Sequence, residues 1–173
     1  MTKNQIALST GYYERYINLV PEFDLNLAFE HASNQLLNLD LDLYRKIGHK
    51  IYQDNKWTIP DILQHLIDTE RIMTYRALHY SRNDKTILAG YDEDQYALEA
   101  NAKLRSIDEL MEEYIMVRKA SELLFKSFDV DMMLRLGTAN SQELSPLALG
   151  FVILGHQYHH LAVIEERYHP LYY

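Results

Sequence analysis

Helix-start signals divide this chain into long helical segments and so limit the folds open to it. A Ser or Thr followed three residues later by an acidic residue, or directly by Pro, is typical of a helix N-terminus. These signals occur at Thr58 with Asp61, at Ser106 with Glu109, and at Ser145 with Pro146. We expect the three helices to run to about Ser81, Ser127 and Tyr168, the last one stopping before Pro170. Apolar residues at helical spacing predict a further helix from about Asp24 to Leu39.

Four long helices in 173 residues predict an all-α fold, a four-helix bundle that forms one domain over residues 1–173. The connection between the second and third helices, residues 82–105, is long enough to cross the length of a bundle, so these two helices can run parallel. Within it, residues 95–102 are expected to form a short helix. Residues 1–20 are tyrosine-rich and predict an arm packed on the domain, whereas residues 40–56 predict a broken extension of the first helix.

Composition and charge argue against several classes of function. The net charge is −8, and no basic patch interrupts it, so binding to a nucleic-acid backbone is not expected. The chain has no cysteine, which removes disulfides, protein thiolates and cysteine–zinc sites. The first residues lack the apolar run of a secretory signal, and the longest apolar stretch, Leu147–Leu154, is too short to span a bilayer. We therefore expect a cytoplasmic protein without membrane association.

Two histidines of the last predicted helix, His156 and His160, lie four residues apart and so share one face. On a helical wheel the same arc holds the apolar residues Leu149, Val152, Ile153, Val163 and Ile164. Burying two imidazoles without partners is costly, and either hydrogen bonds within the core or a metal ion would satisfy them. A third imidazole from a facing helix would complete three nitrogens with an open position, which is the ligand set of a catalytic metal.

The second predicted helix supplies two further candidates, His65 and Glu70. His65 lies at the edge of an apolar arc, and a lone inward histidine is usually a hydrogen-bonded core residue. Glu70 falls inside that arc, where a carboxylate needs a partner. It can pair with an arginine, or it can accept the second N–H of a ligand histidine, and the sequence leaves both open.

Three side chains are weaker candidates for a catalytic proton carrier, namely His159, Tyr158 and Glu70. His159 falls at the edge of the buried arc of its helix, beside the proposed ligands. Trp57 is predicted to be a core or helix-staple residue, and the acidic run Asp92–Asp94 is predicted to be a solvated loop that can rim a pocket. The remaining histidines have no ligand-like partner and are expected to be ordinary polar residues: His31, His49, His79 and His169.

Several motifs of the chain, taken together, resemble the DinB/YfiT-like superfamily over nearly the whole length. The motifs are Tyr16–Pro21, Asn55–Ile59, His65–Arg71, Tyr75–Leu78, Gly90–Asp94 and Gly155–Leu161. The resemblance implies an up-down-down-up four-helix bundle with one divalent metal ion. It also implies that His65, His156 and His160 hold this ion. Three imidazoles suit zinc, nickel, iron or copper.

The same resemblance implies a metal-dependent enzyme, since members with known activity are mostly thiol-dependent transferases and isomerases. We expect an S-transferase that uses a low-molecular-weight thiol, or a hydrolase that uses a metal-bound nucleophile, with a small molecule as substrate. The alternative is a non-catalytic metal-binding or stress-response bundle that acts by binding proteins or small ligands. The aromatic ends, Tyr12-Tyr13 and Tyr172-Tyr173, also permit a homodimer.

Overall fold

The computed structural model describes residues 1–7 and 10–173, so residues 8 and 9 of the predicted N-terminal arm lie outside the described residues. In chain order the α-helices are α1 (Glu14–Ile17), α2 (Leu25–Leu37), α3 (Leu41–Ile47), α4 (Ile59–Ser81), α5 (Glu93–Ala100), α6 (Ile107–Lys126), α7 (Val130–Leu134) and α8 (Pro146–Val163). Helix α8 continues as a π-helical turn over Ile164–Tyr168. A hairpin of two strands, β1 (Gly137–Ala139) and β2 (Gln142–Leu144), precedes α8.

The predicted helix-start signals form real caps. The Asp61 carboxylate accepts a hydrogen bond from the Thr58 backbone N–H at 2.9 Å, and the Thr58 hydroxyl accepts one from the Asp61 N–H at 3.3 Å. Helix α6 begins with the same reciprocal box, and the Ser145 hydroxyl caps α8. These side chains satisfy N–H groups that have no partner within the helix, which is why the sequence places the helix starts correctly.

Four of the helices, α2, α4, α6 and α8, form an up-down-down-up bundle, which confirms the predicted fold. Helices α4 and α6 run parallel. Gln64 forms a hydrogen bond with Arg105 near the start of both helices, and Thr74 forms one with Ser121 further along both helices. Helix α8 runs antiparallel to α4, because the Tyr168 hydroxyl at its far end donates to the carbonyl of Trp57. It runs parallel to α2, because Gly150 lies against Leu25 near the start of both helices and Gln157 bonds the carbonyl of Ala32 further along both.

The connection between α4 and α6 crosses the bundle as predicted and carries α5. This helix begins two residues before the predicted start because the Asp92 carboxylate caps it through the N–H groups of Asp94 and Gln95. The hairpin of β1 and β2 and the short helix α7 were not predicted from the sequence. Leu88 in the crossover exchanges backbone hydrogen bonds with Thr138 and Asn140, which fastens the crossover to the hairpin.

The bundle core is divided into two apolar clusters that follow each other along the axis. On α8 the segment 147–154 packs into one cluster, and Leu161 and Ile164 pack into the other. Buried polar side chains lie between them: His156 and Gln157 on α8, Thr69 and Glu70 on α4, and Arg118 and Glu122 on α6. A polar layer at mid-height of a bundle is where facing helices can assemble a site.

The segment Pro146–Tyr172 is long and apolar enough to cross a membrane by length and composition alone, but 72% of its most apolar window is buried inside the protein. This is the behaviour of a central bundle helix. The apolar character of α8 is thus accounted for by packing against α2 and α4.

Candidate metal centre

Three histidines meet in the polar layer between α4 and α8. The Nε2 atom of His156 lies 3.0 Å from Nε2 of His65 and 3.0 Å from Nε2 of His160. His65 comes from α4, about two turns after the capped helix start, whereas the other two lie one turn apart on the facing surface of α8. The predicted triad is therefore assembled in space, with the ligand nitrogens of all three residues within 4.8 Å of one another.

The donor set fits a divalent cation better than a hydrogen-bonded cluster. A neutral imidazole nitrogen carries either one hydrogen or one lone pair, so His156 Nε2 can form only one well-aligned hydrogen bond with its two neighbours. A tetrahedral ion with metal–nitrogen bonds of about 2.0–2.1 Å holds its ligand nitrogens about 3.3 Å apart. The observed separations of 3.0 Å approach this value.

All three rings are held neutral, which is the state that a metal ligand needs. Burial lowers the pKa of His65 to about 4, helped by the charge of His159. Burial, with the neighbouring histidines, lowers the pKa of His160 to about 3. The pKa of His156 is lowered well below its usual value, chiefly by burial and then by His160 and His65.

Aromatic side chains hold the ligand rings from two sides. The Trp57 ring packs at 4.7 Å from the ring of His65 and stacks on His160 at 6.3 Å. It was predicted to be a core or helix-staple residue, and it is in fact half-buried against the proposed ligands. Tyr16 of α1 makes edge contacts with His156 at 5.2 Å and His159 at 5.6 Å.

Gly155 lets α1 approach α8 at this height. A Cβ atom there would lie 1.8 Å from the backbone oxygen of Tyr16, so no other residue fits without moving α1. The glycine that precedes the histidine motif therefore has a packing reason, and it sets the position of Tyr16 beside His156.

Two cavities open onto the three-histidine centre. The first, here the Tyr91 pocket, has a volume of about 340 Å³ and exposes His65 and His156. Its other walls come from α1 and the turn before it, α4, the crossover, the hairpin and α8: Tyr12, Tyr13, Tyr16, Thr69, Met73, Arg76, Gly90, Tyr91, Glu93, Asn140, Gln142 and Val152. The second cavity, here the Trp57 pocket, has a volume of about 370 Å³ and exposes His159 and His160 beside Trp57.

A family model described as the DinB superfamily matches residues 28–164, a span that includes α4, α8 and all three histidines. The chain belongs to the DinB superfamily. This confirms the resemblance inferred from the sequence motifs. Among curated protein sequences none matches this chain.

The fold of this DinB protein is also that of a solved structure. It is similar to YfiT from Bacillus subtilis, which is described as a probable metal-dependent hydrolase with an unusual four-helix bundle topology. The TM-score is 0.67 at 16% sequence identity, and the match covers 92% of this chain and 87% of that chain. At this identity the likeness establishes the shared fold.

The weaker catalytic candidates of this DinB protein separate in the structure. Glu70 lies in the contact between α4 and α6, where Arg118 donates to it through Nε at 2.9 Å and Nη2 at 2.8 Å. Glu70 is thus paired with an arginine and does not orient a ligand histidine, which removes it from the candidates. Tyr158 turns toward α2, where its hydroxyl lies 2.9 Å from Nδ1 of His31.

His159 alone of the three lies beside the centre. Its ring is 4.9 Å from that of His160, and it opens onto the Trp57 pocket. Burial lowers its pKa, and the positive charge of Arg15 lowers it further. A neutral imidazole at this place can accept a proton.

Sequence reasoning missed most of the residues that line the Tyr91 pocket. The acidic run Asp92–Asp94 was expected to be a loop able to rim a pocket, and Glu93 does line the Tyr91 pocket, but Glu93 and Asp94 form the first turn of α5 because Asp92 caps that helix. Gly90 and Tyr91, just before this run, line the pocket too. Arg76 carried a weak signal, because it shares the His65 side of α4. Asn140 and Gln142 gave none, since the hairpin that presents them was not predicted.

Proposed function

We propose that the chain is a metal-dependent enzyme that acts on a small molecule through a nucleophile bound at the three-histidine centre. The observation that carries the proposal is the convergence of three neutral imidazole nitrogens, from His65, His156 and His160, between two open pockets. The description of YfiT as a probable metal-dependent hydrolase supports it.

The protein side chains account for ligand binding and charge. Three neutral imidazoles add no negative charge, so a bound zinc, nickel or iron ion would keep its full charge and lower the pKa of a water molecule or thiol in its open position. The chain contains no cysteine, so a thiol nucleophile has to be a low-molecular-weight cosubstrate. Water makes the enzyme a hydrolase, and a thiol makes it an S-transferase.

The remaining roles, substrate binding and proton transfer, are assigned to the two cavities. The Tyr91 pocket binds the substrate, since it reaches His65 and His156 and presents several hydroxyl groups. His159 is the proposed proton acceptor, acting through a ring nitrogen from the side of the Trp57 pocket. Trp57 and Tyr16 keep the ligand rings in place and limit the access of water.

The test combines metal content with activity, on protein purified without a histidine tag. Wild type and the exposed-site control His49→Ala are expected to hold near-stoichiometric divalent metal, whereas His156→Ala holds none. The metal-loaded protein is then assayed for hydrolysis of nitrophenyl esters and for conjugation of small thiols to chlorodinitrobenzene. Turnover that depends on both metal and His156 supports the proposal.

The contrary outcome is equally defined. If wild type and His156→Ala carry the same amount of metal, or if turnover survives complete metal removal, the proposed function is wrong. Metal binding without turnover in either assay would favour the alternative of a non-catalytic metal-binding bundle.

A further inference from the structure

We propose that the Tyr91 pocket selects substrates that carry a carboxylate or phosphate group, and that Arg76 binds this group. The inference rests on the proposed function in one respect, namely that the substrate enters the Tyr91 pocket to reach the three-histidine centre. It goes beyond that function in assigning the charge of the substrate and the residue that recognises it.

Arg76 is a buried arginine that has no negative partner among the residues the structure describes. Only 4% of its surface is exposed, and it lines the Tyr91 pocket. Its Nη2 donates to the carbonyl oxygen of Ala89 at 3.1 Å, and its Nη1 contacts the sulfur of Met73 at 3.7 Å. Across residues 1–7 and 10–173, no carboxylate forms an ion pair with it. A buried charge compensated only by a carbonyl and a thioether is costly, and an anion in the pocket would compensate it.

The other buried arginine of the bundle shows what a structural pair looks like here. Arg118 is 2% exposed and holds both carboxylate oxygens of Glu70 through Nε and Nη2. The fold thus supplies a carboxylate to the guanidinium that faces α4 from α6. Within residues 1–7 and 10–173 it supplies none to the guanidinium that faces the pocket, which distinguishes Arg76 as a ligand-binding group.

Helix α4 places Arg76 on the same face as the metal centre. His65, Thr69 and Arg76 fall within about 40° of one another on the helix, and His65 and Arg76 are about 16 Å apart along its axis. The contact with Met73 shows that the arginine side chain leans back toward His65. A substrate that reaches both therefore carries its anionic group several bonds away from the reacting atom.

Other groups around the pocket suit an anion. Arg15 is exposed and lies outside the lining, but it donates to the hydroxyls of Tyr12 and Tyr16, which do line the pocket, and it forms no ion pair among the described residues. The Tyr91 hydroxyl lies 2.8 Å from the hydroxyl of Thr69, a residue of α4 that comes between His65 and Arg76 along the helix. The one acidic side chain of the lining, Glu93, is exposed and lies beyond ion-pair distance of Arg76. The acidic run Asp92–Asp94 is exposed on the side of the pocket formed by Gly90, Tyr91 and Asn140, so the positive charge that an anion would meet inside the pocket is that of Arg76.

The first experiment tests the anion site without metal. Binding of hexanoate, hexyl phosphate and hexanol to metal-free protein is measured by ligand-observed NMR. Wild type is expected to bind at least one of the two anions about tenfold more tightly than hexanol, as charge-assisted hydrogen bonds predict. Arg76→Met is expected to lose this preference, and Arg76→Lys to keep part of it. Arg82→Met, at the exposed end of α4, serves as the matched control and should behave as wild type.

The second experiment tests whether one ligand binds the anion site and the metal ion together. In cobalt-loaded protein the ligation of mercaptohexanoate and mercaptohexanol is followed by the thiolate-to-cobalt absorption band. Wild type is expected to bind the carboxylate thiol about tenfold more tightly, and Arg76→Met to bind both alike. Circular dichroism of the arginine variants shows whether each is folded.

The outcomes separate the two proposals. A wild type without preference for anions over hexanol, or an Arg76→Met variant with the wild-type preference, overturns the anion inference. Protein that binds no cobalt contradicts the proposed function, and cobalt that no thiol ligates contradicts its S-transferase form. Both results leave the metal-free measurement standing. Comparison of hexanoate with hexyl phosphate identifies which anion the site prefers.

Discussion

The Nε2 atoms of His65 and His156 lie 3.0 Å apart although the residues are 91 positions apart in the sequence. The contact joins the first third of α4 to the middle of α8, which runs antiparallel to it. Because the ligands come together only when these helices pack, a metal ion that binds the triad binds the folded state and stabilises it.

Metal addition should therefore raise the melting temperature of the metal-free protein. At a hundredfold excess over the dissociation constant, binding contributes about 2.7 kcal/mol. For a domain of this size that corresponds to an upward shift of several degrees. Differential scanning fluorimetry with zinc should show the shift in wild type and in His49→Ala, and little or none in His160→Ala. An equal shift in His160→Ala would mean that the ion binds elsewhere.

Acid should destabilise the metal-free protein through the buried histidines. The pKa of His65 is lowered to about 4 and that of His160 to about 3, against 6.5 in an unfolded chain. Below about pH 6.5 the unfolded chain takes up protons that the folded protein does not, so the free energy of unfolding decreases as the pH is lowered. His65 alone should account for about 2 kcal/mol between about pH 6.5 and about pH 4.5.

Urea unfolding at a series of pH values measures this effect. His65→Gln should lose less stability over that pH range than wild type, while His49→Gln follows wild type. If all three proteins lose the same stability between the two pH values, the triad does not carry the acid sensitivity.

The sequence predicts the parts of the structure that obey local rules. Thr58 with Asp61 and Ser106 with Glu109 mark helix starts because the cap is made within one turn. The i, i+4 spacing likewise places His156 and His160 on one face. The partner of Glu70 could not be predicted, since it depends on the rotation of α6 that brings Arg118 to face α4.

The Tyr91 pocket contains features that could not be predicted from the sequence. Asn140 and Gln142 reach it only because Asn140 and Ser141 adopt positive φ and turn the chain into a hairpin. The lack of a carboxylate beside Arg76 is a property of the packed structure, and no pattern in the sequence reports it.

Substituting only one partner of the Glu70–Arg118 ion pair should strongly lower the free energy of unfolding. Glu70→Gln leaves the fully buried guanidinium without a negative partner, and the loss of stability is expected to be about 3–5 kcal/mol. In the double variant Glu70→Leu with Arg118→Met, both charges are absent, and much of this loss should be recovered. Urea denaturation of Glu70→Leu, Arg118→Met and the double variant measures the coupling, and a double variant less stable than both of these single variants would contradict it.

Gly155 and Gly150 of α8 should respond differently to the same substitution. Replacing glycine by alanine inside a helix normally stabilises it by about 1 kcal/mol. A Cβ at Gly155 meets the Tyr16 backbone oxygen at 1.8 Å, whereas one at Gly150 meets the ends of the Leu25 side chain at 2.9 and 3.0 Å. Backbone cannot move aside as a side chain does, so Gly155→Ala should lower the melting temperature more than Gly150→Ala. It should also displace α1 from His156, which increased proteolysis near residue 16 would report. Equal effects of the two variants would show that α1 is not held against Gly155.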